Sequence, residues 1–355
     1  AALGLWGLAM AAMAPSCSGT LRAAAVRTAA LQTTLLLVAA AALLSSALGA
    51  LPWAMGTSAA GLLAATMALA LAGAALRPTR ALLIAFFAAW VAAGVCSGAI
   101  ALVQVFAPGW PDGDWIARSG VPGRAVGNLR QPNHLATLLL WSAVAVVPLV
   151  ELGTLGRTRA RCTAALALMA LMVLGVTLSG SRTGLVGLAL LALWGALDGR
   201  LSRCSRGLLL AAPLLLAAGW GLTAWWSSLH EAHAIGAAAR LGEGDLSASR
   251  FAIWRDALAL VRAHPWLGVG YGEFNFAWSL TPFPQRPVAF FDHTHNLALQ
   301  LAVELGLPVA GAVLLLMAVA LWQAARRAWR AEGEAGLAAR TAVMLVLLTL
   351  LHIMR

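Results

Sequence analysis

The feature that most constrains this chain is a series of apolar runs, each close to membrane-spanning length, recurring from one end to the other. They fall near residues 1–14, 28–50, 58–76, 81–106, 134–152, 162–178, 183–198, 207–226, 308–325 and 341–353. A helix rises about 1.5 Å per residue, so roughly 20 apolar residues cross about 30 Å of hydrocarbon. A soluble core has no need of such runs. Composition agrees, with 61% of residues hydrophobic and only 10% charged, where a soluble domain carries about 25% charged. The expected fold is all-α: a polytopic transmembrane helical bundle with a long loop outside the membrane that holds short amphipathic helices.

A net charge of +11 would suggest nucleic acid in a soluble protein. Here the arginines sit in short loops between spans, so nucleic acid is not an expected partner. Arg22/Arg27, Arg77/Arg80, Arg157/Arg159/Arg161, Arg200/Arg203/Arg206 and Arg326/Arg327/Arg330 mark one side of the membrane. By the positive-inside rule that side is cytoplasmic. The other side receives a link near 51–57, a loop at 107–133, a tight turn at 179–182 and a long loop at 227–294. This alternation divides the chain into an N-terminal bundle of about eight spans at 1–226, an outer loop with a cavity-lining helix at 227–307, and C-terminal spans at 308–355. It also places Ala1 outside, so a further upstream span is expected. Ala1 to Ala14 lacks the basic stretch that opens a signal peptide. Cys17, Cys96, Cys162 and Cys204 show no ligand spacing and are expected to be apolar packing residues.

The polar motifs collect on the side opposite the arginine loops. In the first, Gly123-Arg124-Ala125-Val126-Gly127-Asn128-Leu129-Arg130-Gln131-Pro132-Asn133-His134, glycines and a proline make a turn and a helix resumes after Pro132. Its amides either cap that helix at the membrane interface or meet a ligand. In Ser179-Gly180-Ser181-Arg182-Thr183-Gly184 the turn is short enough to hold Arg182 at the interface, where arginine snorkels or finds an anion. The segment Ser249-Arg250-Phe251-Ala252-Ile253-Trp254 opens an amphipathic helix with Phe251, Trp254 and Leu258 on one apolar face. A glycine-punctuated turn follows at 264–272.

The last motif runs Asp292-His293-Thr294-His295-Asn296-Leu297-Ala298-Leu299-Gln300 and continues to Glu304, Gly306 and Pro308. From His295 to Ala325 is too long for one span, so a break is expected at Gly306 and Pro308. Asn296, Gln300 and Glu304 recur every four residues, a polar stripe that should face the bundle interior. Two histidines at i, i+2 diverge on a helix and no dense carboxylate cluster accompanies them, so no metal is expected. His295 reads better as a proton acceptor near neutral pH.

The pairing of Gly-Asn-Leu-Arg-Gln-Pro-Asn-His at 127–134 with His-Thr-His-Asn-Leu-Ala-Leu-Gln at 293–300 resembles the bacterial protein O-oligosaccharyltransferases, or pilin glycosylation ligases. These are relatives of the O-antigen ligases and belong to one superfamily with the O-antigen polymerases. The 179–184 turn and the Ser-Arg-x-x-x-Trp element at 249–254 are similar to features of that superfamily, so the resemblance spans nearly the whole chain. It implies a cofactor-free enzyme of the bacterial inner membrane with its active site facing the periplasm. Such an enzyme moves a preassembled glycan from undecaprenyl-pyrophosphate to a serine or threonine hydroxyl of a pilin-like protein. Lipid A-core or a growing glycan is the alternative acceptor, and a lipid-linked glycan transporter is the alternative from another class.

By the same resemblance His295 matches the essential histidine, Arg182 and Arg250 match arginines that bind the pyrophosphate, and Gln131 matches a functional glutamine. Arg124, Asn133, His293 and Asn296, the other polar members of these motifs, are expected on the substrate side. Metal-independent, inverting catalysis is expected. Relatives continue past the last arginine loop with a His-Ser-x-x-Glu-Tyr-Pro segment. This sequence ends Leu351-His352-Ile353-Met354-Arg355, so a chain incomplete at both ends is expected.

Overall fold

The structure, a computed structural model, describes residues 18–48, 52–75, 79–121, 123–156, 158–229, 235–236, 246–284 and 292–354. The expected first span at 1–14 lies outside the described residues. The described helices are α1 (Ser18–Arg27), α2 (Ala29–Leu48), α3 (Trp53–Ala75), α4 (Arg80–Phe106), α5 (Pro132–Glu151), α6 (Arg159–Ser179), α7 (Arg182–Leu197), α8 (Arg203–Leu229), α9 (Leu246–Ala263), α10 (Phe274–Leu280), α11 (Leu297–Arg330) and α12 (Gly333–Ile353). A single 3-10 turn, Gly127–Leu129, precedes α5. No strand occurs among the described residues. Eight of the helices are long and apolar enough to cross a membrane, and α7, at 16 residues, is apolar but shorter. The chain is a multi-pass helical membrane protein.

The chain forms two compact units. One contains α4 to α8 with the last turn of α11 and α12. In it α5 packs against α4, α6, α7, α8 and α12. That central place explains its sequence, since a helix apolar on all sides is one buried on all sides. Leu135, Leu139, Val144 and Val146 of α5 are fully buried with Met169, Met172, Leu188 and Leu191 of its neighbours. Two cysteines that the sequence spacing keeps apart meet here: the Cys162 and Cys204 sulfurs lie 2.8 Å from one another across 42 residues of chain.

The other unit contains α1 to α3 and α9, α10 and most of α11. The expected amphipathic helix is present as α9; Trp254 of its expected apolar face packs against the core, while a second stripe is buried more deeply. Ile253, Ala257, Leu260 and Val261 are buried against Phe274, Trp278 and Val303, whereas Phe251 is 64% and Leu258 45% exposed. Two apolar stripes coexist on this helix, and periodicity alone does not choose between them. The buried one also carries Asp256, which accepts a hydrogen bond from the Trp278 indole at 3.1 Å.

The expected break in α11 is at Gly306, whose φ of 77° and ψ of 163° are non-helical. A break frees backbone groups that need new partners. The 264–272 turn supplies them. Val269 and Gly270 N–H donate to the Val303 and Glu304 carbonyls at 2.8 and 3.1 Å, and Leu307 N–H donates to Pro265 O at 2.8 Å. Two backbones approach so closely that only glycine fits. A Cβ on Gly306 would lie 2.3 Å from Trp266 O, and one on Gly268 would lie 2.4 Å from Glu304 O. Gly306→Ala is therefore expected to cost roughly 1–3 kcal/mol, since glycine alone adopts that region without strain. The check is the thermal unfolding midpoint of the purified protein in detergent, which should fall; an unchanged midpoint would contradict this close packing of the 264–272 turn on the break.

Candidate functional site

The motif residues form two local assemblies, one in each unit. In the unit built on α5, the 107–133 loop is bolted down by two amides. Gln104, 6% exposed near the end of α4, accepts from Val126 and Gly127 N–H at 3.0 and 2.8 Å and donates to Ala117 O at 2.6 Å. Asn128 accepts from Ala117 N–H at 2.9 Å and donates to Trp115 O at 2.8 Å. Asp112 closes the tip, its Oδ1 accepting from the Asp114, Trp115 and Ile116 N–H groups at 3.0, 2.9 and 3.0 Å. Those donors, Ile116 foremost, hold the Asp112 carboxyl below the usual range. Asp112-Gly113-Asp114 is an Asp-x-Asp spacing, which the expectation of metal-independent catalysis passes over; here one of its carboxylates closes a turn.

This loop leads to the helix entrance. Pro132 begins α5, where its missing N–H costs nothing. Gln131 stands at the cap position without making a cap bond, and its Oε1 is buried without a hydrogen-bond partner. Such an orphaned acceptor is uncommon and calls for an explanation. Asn133 Oδ1 accepts from the Ser181 hydroxyl at 2.7 Å. Ser181 in turn caps α7, accepting from Gly184 N–H at 3.2 Å. Two sequence motifs 48 residues apart are thus joined by one side-chain hydrogen bond.

Arg182 is the first residue of α7, exposed, with no hydrogen bond or ion pair among the described residues. A cation at a helix N-terminus opposes the helix dipole by a few tenths of a kcal/mol. An anion bound there would be favoured by both the helix end and the guanidinium. Arg124 has a different place. It is 7% exposed, and its Nε donates to the Ser179 carbonyl at 2.9 Å, supporting the turn from beneath.

Beside this entrance the His134 and His352 rings lie 5.1 Å apart. The Thr137 hydroxyl donates to Asn133 O at 2.9 Å and lies 2.7 Å from His352 Nδ1. A hydroxyl has one proton to give, so His352 Nδ1 is the donor in the second bond.

In the other unit the structure builds a turn around Thr294, which is fully buried. Its N–H donates to Gln300 Oε1 at 2.8 Å, its carbonyl accepts from the Trp254 indole at 2.8 Å, and its hydroxyl donates to Asn296 O at 2.8 Å. Asn296 caps α11 by accepting from Leu299 N–H at 3.0 Å. Gln300 Nε2 donates to Glu304 Oε1 at 2.7 Å, so the polar stripe is a continuous chain of bonds. Between these anchors His295 is held at φ 55°, left-handed and unusual for a residue with a side chain. Its ring lies 4.1 Å from that of His293, whose Nδ1 is hydrogen-bonded to Asp292. Arg250 is a residue of α9, with its side chain outside the described residues.

Residues 167–314 match the family model for O-antigen ligase, and residues 125–149 match the family model for protein glycosylation ligase. Over these two stretches the chain is similar to both families. Both descriptions are of ligases and indicate glycosyl transfer. The longer match contains Arg182, Arg250, His293, His295 and Asn296; the shorter contains Gln131 and Asn133, with Arg124 one residue before it. No curated protein matches the chain at a significant level.

Sequence reasoning missed Gln104, Thr294 and His352. A lone glutamine in an apolar helix is a signal in hindsight, since its burial demands partners. Tyr271 is another. Burial first, and then the Glu304 carboxylate, push its phenol above the ordinary value. It is the one tyrosine in the sequence, so ultraviolet titration reads it alone. The midpoint should lie above the usual value of about 10 and fall in Glu304→Gln. A folded-state pKa raised in this way adds stability below the unfolded value, lost as pH rises through the folded one. A midpoint at the free-phenol value would refute the burial.

Proposed function

We propose that this chain transfers a preassembled glycan from undecaprenyl-pyrophosphate to a serine or threonine hydroxyl of a periplasmic protein, such as a pilin, at the bacterial inner membrane. A neutral hydroxyl is a weak nucleophile and benefits from a positioned base. His295 takes its proton as the oxygen attacks the anomeric carbon. The new carbon–oxygen bond forms as the bond to pyrophosphate breaks, and the lipid pyrophosphate leaves with the electron pair. A single displacement of this kind inverts the anomeric centre.

The leaving group gathers negative charge and needs fixed cations, which arginine's planar fork suits. Arg182 and Arg250 have that role, and no resident metal is required by it. Gln131 offers its unpartnered Oε1 to a hydroxyl of glycan or acceptor. Asn133 and Arg124 hold the turn that presents Arg182, while His293 and Asn296 shape the loop of His295. The observation that carries the proposal is the His295 turn, a left-handed residue fixed by Trp254, Asn296 and Gln300. Strained residues so thoroughly held cluster at active sites.

The longer family match favours a second reading, with a sugar hydroxyl on lipid A-core as acceptor. Purified ligase given one lipid-linked oligosaccharide with pilin, lipid A-core and free glycan in competition separates the two. The proposal expects the glycan on protein, insensitive to chelator. Product confined to lipid A-core or to longer glycan would replace it.

A further inference from the structure

In the unit built on α5, at the arginine-rich ends of its helices, a cavity of about 490 Å³ lies between α5, the α7–α8 loop and the start of α12. It is independent of the motif residues, and its polar walls are almost fully committed. Glu334 is paired with Arg80. Glu151 accepts from Ser202 N–H at 2.9 Å and from the Ser205 hydroxyl at 2.5 Å. Arg200 donates to the Trp329 carbonyl at 2.8 Å. Asp198, 3% exposed, accepts from Arg340 Nε at 2.7 Å and from the Trp194 indole at 3.2 Å.

Two groups are left over. Arg340 lines the cavity at 5% exposure, and its Nη1 is buried without a hydrogen-bond partner. A buried guanidinium nitrogen left unsatisfied is costly, more so than a neutral donor. Glu332, exposed on the same wall, has no ion-pair partner among the described residues. The wall residues together with Arg80 and Asp198, the ion-pair partners of Glu334 and Arg340, make three arginines (80, 200, 340) against four carboxylates (151, 198, 332, 334), so the surroundings carry one spare negative charge. A simple anion would satisfy Arg340 but meet that excess. A simple cation would satisfy Glu332 but leave Arg340 orphaned.

We propose that this cavity binds an ammonium–phosphate zwitterion, its phosphate oxygen on Arg340 Nη1 and its ammonium on Glu332. Glu151 ends α5 and Glu332 lies in the loop between α11 and α12, both of membrane-spanning length. The mouth is therefore level with lipid headgroups, and the occupant is the headgroup of phosphatidylethanolamine. A choline headgroup has no N–H to donate to Glu332, and a glycerol headgroup has no cation.

The test uses the full chain in detergent, with bound lipid counted by native mass spectrometry after mixing with phosphatidylethanolamine, phosphatidylcholine and phosphatidylglycerol. Phosphatidylethanolamine should be retained about tenfold over either competitor, the size of one good charge-assisted contact. Glu332→Gln should erase that preference without moving the unfolding midpoint, because the side chain has no partner to lose. Arg340→Lys, which keeps the charge but gives up the second nitrogen, should erase it too. Displacement of the lipid by soluble O-phosphoethanolamine would support the site and extend it to the free zwitterion; retention against it would support the lipid alone. Equal retention of the three lipids, or an undiminished preference in Glu332→Gln, would overturn the proposal and leave Arg340 Nη1 to water.

Discussion

Replacing His295 by asparagine or alanine is expected to abolish glycan transfer while leaving the protein folded in the membrane. A positioned general base contributes roughly 10²–10⁴-fold, so turnover should fall by at least that much. The two variants separate conformation from chemistry. His295 sits at φ 55°, a region that asparagine tolerates well and alanine poorly. Asparagine therefore preserves the turn fixed by Trp254 and Gln300 but cannot take a proton. Equal loss in both variants, with an unchanged unfolding midpoint for asparagine, assigns the loss to chemistry. A fully active asparagine variant would remove His295 from the mechanism.

Arg182→Ala carries the second large effect, and its signature is a pair of opposite signs. The side chain is exposed and makes no bond among the described residues, while the α7 cap belongs to Ser181. Removing a cation from a helix N-terminus relieves an unfavourable dipole contact worth a few tenths of a kcal/mol. Stability should hold or rise slightly. Activity should fall by about 10²–10³-fold, as when one preorganised stabiliser of developing charge is lost. Arg182→Lys should restore part of it, since lysine keeps the charge but not the fork. Loss of stability with activity retained would make Arg182 a structural residue.

Much of the architecture is legible in the sequence because membrane insertion reads local chemistry. Nine of the ten apolar runs correspond to described helices, and the tenth, 1–14, lies outside the described residues. The break at Gly306 was equally readable, since glycine followed shortly by proline is a local signal. What escaped depends on partners far away in the chain. Period alone could not say that α9 would bury Ile253 and Ala257 rather than Phe251 and Leu258. Gln104 gains its meaning only from backbone groups 22 and 23 residues downstream. His352 is tied to Thr137 across 215 residues. The motifs themselves were visible, but the bonds holding them, Ser181 to Asn133 and Trp254 to Thr294, belong to the folded state.

The proposal that this chain forms a glycosidic bond rather than carrying glycan across a membrane is tested most directly in liposomes. Purified protein is reconstituted with a lipid-pyrophosphate-linked oligosaccharide and an acceptor protein, and the acceptor's intact mass is measured. Glycan transfer predicts an acceptor heavier by one whole oligosaccharide in wild type and unmodified in His295→Asn. Translocation of the lipid-linked oligosaccharide with no conjugate formed on any acceptor would contradict it.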